Sequence, residues 1–249
     1  MRTRTSIIAH EVAAAVRSGI TSGADADTLL GVARTETHAD DSRTGLGERR
    51  FTISVEGAST AHAYRGTTVT AVATERGLVV EASVVVADAP DDVGDQFDWA
   101  STSLVVTRNG VGLPKIDTDV RGAFATCVIV AVPLDIAEDP GDLEELIDGV
   151  GGAANARAWP VPSASYALCL VAAGDVDAAV VDAPSAVQEV PGVGSRGTSA
   201  LEAAITIVRA VGGEVRSVGS IVIAGRHQID EGLAHRLLEL RSILGRVDG

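Results

Sequence analysis

The chain has 249 residues, 46% of them apolar and only 3% aromatic, enough to bury a full core as one large domain or two small layers. A formal charge of −14 and a pI near 4.7 exclude the basic face that nucleic acid or an anionic membrane surface requires; the plain reading of the acidity is solubility. With so few aromatic rings there is little to stack bases or to build an aromatic cage.

In chain order, residues 6–20 place Ile8, Val12, Ala15 and Val16 on one helical face, with Gly19 near the end. A polar, charged stretch containing a short helix follows. From Phe51 the period changes to two: in "FTISVEGAST" Phe51, Ile53 and Val55 share one face, and Glu56 with Gly57 makes the turn. "TTVTAVATERGLVVEASVVVAD" reads as a hairpin around Glu75-Arg76-Gly77 and then a long strand. A strand is expected at Ser103–Thr107, with Asn109-Gly110 as its turn, and a short buried strand in "TCVIVAVPL" ending at Pro133. Asp139 and Pro140 open a helical run. "SASYALCLVAAG" reads as a buried helix stopped by Gly174, and "DVDAAVVDA" as the strand after it. "TSALEAAITIVRAVGG" is an amphipathic helix ended by Gly212-Gly213, "VGSIVIAG" a strand, and "QIDEGLAHRLLELRSILG" a closing helix. Blocks of helix and strand in this order predict layered α/β architecture with mixed sheets.

Lys115 is the only lysine and follows no glycine-rich loop, so Schiff-base or P-loop chemistry is not expected. Cys127 and Cys169 both sit in apolar runs and read as buried free thiols. The opening "MRTRTSIIAHEV" carries no secretory or membrane-spanning signature, and a cytoplasmic location is expected.

The segments "SASYALCLVAAGDVDAAVV", "LEAAITIVRAVGGEV" and "IVIAGRHQIDEGLAHRLLEL" resemble, in order and spacing, the last third of inositol-monophosphatase-like proteins. The resemblance implies an α-β-α-β sandwich over residues 1–249, with an N-terminal α+β subdomain at 1–122 and a C-terminal α/β subdomain at 123–249. It also implies a homodimer, and phosphomonoester hydrolysis with magnesium held by clustered carboxylates, as a hard cation requires. The family's first metal motif, Asp-Pro-x-Asp-Gly and a hydroxyl residue, falls on Ser54-Val55-Glu56-Gly57-Ala58-Ser59, where both aspartates are missing. A second family aspartate falls on Thr198-Ser199-Ala200. The family's Glu-Glu pair would correspond to Glu36, and its early aspartate to Asp25 or Asp27.

Two scattered glutamates, Glu36 and Glu56, are a poor two-metal site, and hydroxyls in place of carboxylates supply no charge. The expected reading is a descendant that has lost magnesium chemistry, needs no cofactor, and binds a small polar or anionic ligand or serves as a partner subunit. A metal-independent enzyme would use Glu56, His62, Ser59 and Thr60 as acid–base and hydroxyl groups, although His62 also reads as an exposed loop histidine. Ligand contacts are expected from Ser54 and from Arg196, Thr198 and Ser199, where a helix start beside an arginine suits an anion; a mobile loop is the plainer alternative. "ETHADD" around His38 reads first as a solvated loop rather than a metal site, Asp98-Trp99 as a packing position, and Trp159 as packed beside the small-residue helix. The rival class is an active magnesium-dependent phosphomonoesterase with relocated ligands at Glu36, Asp25, Asp27 and Glu56.

Overall fold

A computed structural model describes residues 3–21, 49–56, 67–76, 78–87, 94–116, 128–133, 156–161, 163–182, 188–189, 200–218 and 221–226. The expected helices after Pro140 and after Gln228 lie outside these residues.

Helix α1 (Arg4–Thr21) is followed by strands β1 (Arg49–Glu56), β2 (Thr67–Glu75) and β3 (Leu78–Ala87). Next come β4 (Gln96–Ala100), β5 (Val106–Arg108) and β6 (Val111–Gly112). The second half holds β7 (Val128–Pro133), β8 (Ala156–Val161), α2 (Ala164–Ala173), β9 (Ala178–Asp182), β10 (Gln188–Glu189), α3 (Ala200–Ala210), β11 (Glu214–Val218) and β12 (Ile221–Gly225). The first sheet has the order β10-β1-β2-β3-β4-β5-β6 and is antiparallel throughout. The second has the order β11-β12-β9-β7-β8, with β7 parallel to both its neighbours.

The layers follow from the side-chain periods. On α1, Ile8, Val12 and Val16 recur at every fourth residue and are buried with Ala9 and Ala13. They pack on Phe51, Ile53, Val55, Val69, Ala71, Ala73 and Val85, the odd-numbered face of the first sheet. The opposite face, even-numbered on β1–β3 and odd-numbered on β4, turns Val72, Ala82, Val84 and Phe97 toward α2 and α3, whose other side carries the second sheet. The result is the expected α-β-α-β sandwich. Helix α2 is apolar all round because it lies between two sheets. Its N-cap Ser163 accepts the Tyr166 N–H, and Gly174 (φ 85°) closes it in the left-handed conformation.

The β2–β3 hairpin turns at Arg76 (φ 53°), and Asn109-Gly110 (φ 52° and 79°) makes the β5–β6 turn, both where the sequence places them. Other details differ. Glu56 is the last ladder residue of β1, opposite Thr68, and not part of a turn. Ser101–Ser103 form a turn, so β5 starts only at Val106. Strand β4 escaped the sequence reading because the polar members of its alternation Gln96, Phe97, Asp98 and Trp99 mask it; they are satisfied by hydrogen bonds to α1 and β3. Strand β11, "EVRSV", is too polar and too short to stand out from a loop. Trp159 lies on β8, the edge strand of the second sheet among the described residues, and is 45% exposed. The edge position also tolerates Pro160.

Candidate functional site

The end of β1 and the start of β2 carry an unusual pattern. Their α1-facing positions are apolar except for Thr67, while the opposite face holds Thr52, Ser54, Glu56, Thr68 and Thr70, all buried. Ser54 lies opposite Thr70, and Glu56 opposite Thr68. Antiparallel pairs share a face, so these four form one polar strip under the first turn of α2.

The helix meets that strip directly. The Ser163 hydroxyl donates to Thr68 Oγ1 at 2.8 Å while accepting from Tyr166 N at 3.2 Å. Glu56, 1% exposed, takes the Ser165 N–H on Oε2 at 3.1 Å and the Ser165 hydroxyl on Oε1 at 2.8 Å. Both carboxylate oxygens are thus engaged at a helix N-terminus, where unpaired N–H groups and the helix dipole favour negative charge. Among the described residues, Ser54 Oγ and Thr70 Oγ1, fully buried on the same strip, have no hydrogen-bond partner. Cys169, one helical turn beyond Ser165, is a free buried thiol. Burial, then the negative charge of Glu56, pushes its pKa well above 9.0, which makes it a packing residue and a poor nucleophile.

A second polar cluster joins β4 and β5 to both ends of α2. Arg108 holds Asp95 through Nε (2.9 Å) and Nη2 (2.5 Å) and reaches Asp175 through Nη1 at 2.5 Å. Tyr166 donates to Asp95 at 3.0 Å, and the guanidinium lies 5.4 Å from the Phe97 ring centroid. Burial pushes the Asp95 carboxyl up, but the Arg108 hydrogen bonds and charge, with Tyr166 and Asn109, outweigh it and leave the pKa below 3.8. Burial, then the Asp95 charge, pushes the Tyr166 phenol well up. Asp98 is also structural: it accepts from Ser83 at 2.6 Å, Ser6 at 3.2 Å and Gln96 at 3.2 Å, tying α1 to the sheet.

Of the residues singled out from sequence, Ser54 and Glu56 are described and share the polar strip. Ser59, Thr60, His62, Arg196, Thr198, Ser199, Glu36, Asp25, Asp27, His38 and Cys127 lie outside the described residues. Strand β10 pairs Gln188 with Val55 and Glu189 with Ser54, at the same strand end. Sequence reasoning missed Thr68, Thr70, Ser163 and Ser165. The signal was present as two hydroxyls before an apolar helix, "PSAS", and alternate threonines in "TTVT". Magnesium, which the sequence resemblance implies, finds a poor donor set here. Among the side chains described, this corner offers the Glu56 carboxylate, already bound on both oxygens, and neutral hydroxyls, a poor donor set for the ion.

Solved structures of similar architecture cover nearly the whole chain. Inositol monophosphatase from Anabaena (Nostoc) sp. PCC 7120 matches at a TM-score of 0.60 and 18% identity over 94% of each chain. Mycobacterium tuberculosis SuhB matches at 0.61 and 19% over 98% of this chain and 96% of that one. Staphylococcal IMPase-II matches at 0.64 and 11% over 96% of each. No family model and no curated protein matches the chain in sequence. The likeness is one of fold: the chain is built as the inositol monophosphatases are.

Proposed function

Proceeding from the inositol-monophosphatase fold, we propose that this protein is a non-hydrolytic descendant. It has lost magnesium-dependent phosphatase chemistry and binds a small polar or anionic ligand near the end of β1, alone or as a partner subunit. The observation that carries this reading is the engagement of Glu56. The carboxylate at the strand end is buried and held on both oxygens by Ser165, so binding a cation there would require breaking a helix cap. Ligand contacts in this reading come from Ser54, Arg196, Thr198 and Ser199. Any metal-independent acid–base role would fall to His62 with Ser59 and Thr60, and Glu56 would have to leave its cap to join them.

Magnesium titration by calorimetry, with phosphatase assays on inositol and sugar phosphates, tests the reading. The expected result is no magnesium-dependent turnover. Turnover that requires magnesium and is abolished by Glu56→Gln or Glu36→Gln would instead establish an active phosphomonoesterase with relocated ligands. The reading includes two subdomains, 1–122 and 123–249, in a cytoplasmic homodimer. Exposed Leu104, Val105 and Val111 at the β6 edge supply apolar surface for such contact, and light scattering of the purified chain measures its mass.

A further inference from the structure

We propose that the first turn of α2 and the hydroxyl strip beneath it form an acceptor for a small monocarboxylate, which the chain fills with its own Glu56. Formate or acetate can take the place of that side chain.

Three observations carry this. The helix does not need Glu56 as its local cap, because Ser163 already serves as N-cap and bonds Tyr166 N. Glu56 arrives from a strand 109 residues away and places its two carboxylate oxygens on the N–H and O–H of Ser165, as a bound anion would sit. On the same face, Ser54 Oγ and Thr70 Oγ1 are buried without partners among the described residues. Leaving buried hydroxyls unbonded is costly, so the strip has hydrogen-bonding capacity that the tethered carboxylate does not use.

The ligand class follows from the resident group. Removing the Glu56 side chain beyond Cβ leaves room for a carboxylate carrying about one carbon, flat and singly charged. A tetrahedral phosphate dianion fits that shape poorly. In the wild-type chain the tethered carboxylate competes at high effective concentration, so free carboxylate gains no entry.

The test is thermal unfolding of wild type, Glu56→Ala and Glu56→Gln in sodium formate, acetate, phosphate and chloride at matched ionic strength. Formate and acetate are expected to raise the midpoint of Glu56→Ala in a saturable manner. They should leave wild type and the isosteric Glu56→Gln unmoved, and adding Ser165→Ala to Glu56→Ala should weaken the response. A response of Glu56→Ala no greater than in chloride overturns the proposal, as does an equal response in wild type. Should Glu56→Ala not fold in plain buffer, its refolding yield is read against acetate, and a yield that does not rise with acetate overturns the proposal equally. No turnover enters these measurements, so their failure leaves the non-hydrolytic reading untouched.

Discussion

Ser165 gives Glu56 two hydrogen bonds from one residue, and only the hydroxyl one can be removed without changing the backbone. Ser165→Ala should therefore destabilise the fold by about 1–3 kcal/mol, as expected when a buried charged acceptor loses a donor, read from the midpoint of urea unfolding. The Asp95 cluster sets a pH dependence. Asp95 is depressed, so its contribution is complete above the ordinary carboxylate value of 3.8 and is lost as pH falls through its lower folded value. Tyr166 is raised, so its contribution is complete below the ordinary phenol value of 10.0 and is lost as pH climbs toward its folded value. Unfolding midpoints followed against pH should show Asp95→Asn shrinking the acid limb and Tyr166→Phe the alkaline limb, with little change in slope between them. At this scale the sequence was only half legible. It pointed to Glu56 and Ser54 but not to their partners, because a strand's polar face and a helix's first turn from 109 residues away meet only through tertiary packing.

Elements read more easily, since periodicity and punctuation are local. Helices α1, α2 and α3, the β2–β3 hairpin and the Asn109-Gly110 turn were all visible in apolar spacing and glycine placement. What escaped were β4, β8 and β11, strands whose polar residues or proline are tolerated through hydrogen bonds or an edge position. Two glycines test the punctuation in different ways. At Gly174 a side chain would meet both a left-handed backbone and the Arg226 guanidinium, 2.6 Å from a new Cβ. Gly174→Ala should cost about 1–2 kcal/mol, part of it recoverable if Arg226 swings away. Gly94 precedes β4, and its new Cβ would lie 2.4 Å from the Val86 carbonyl oxygen, a rigid ladder atom. Gly94→Ala should cost at least as much, with no flexible neighbour to relieve it; denaturant titration of both variants checks the order.

Across the whole molecule the layers share one hydrophobic seam. Phe97, fully buried, sits where the first sheet meets α2, under Tyr166 at a ring distance of 6.4 Å. Phe97→Ala should cost about 3–5 kcal/mol and bring down both halves in one transition, seen as coincident circular-dichroism and fluorescence curves. The layer order was legible from the succession of blocks, and the resemblance in the last third of the chain carried the fold. The sequence alone could not show which strand would cover the free edge of β1, because that strand is two residues long and lies in a Gly- and Pro-containing stretch.

That short strand has a consequence for synthesis. Until β10 emerges, β1 presents a bare row of amide and carbonyl groups, and β10 follows Glu56 by roughly 130 residues, on the order of ten seconds of translation. During that interval the nascent chain carries an uncovered edge able to pair with a neighbour on the same messenger.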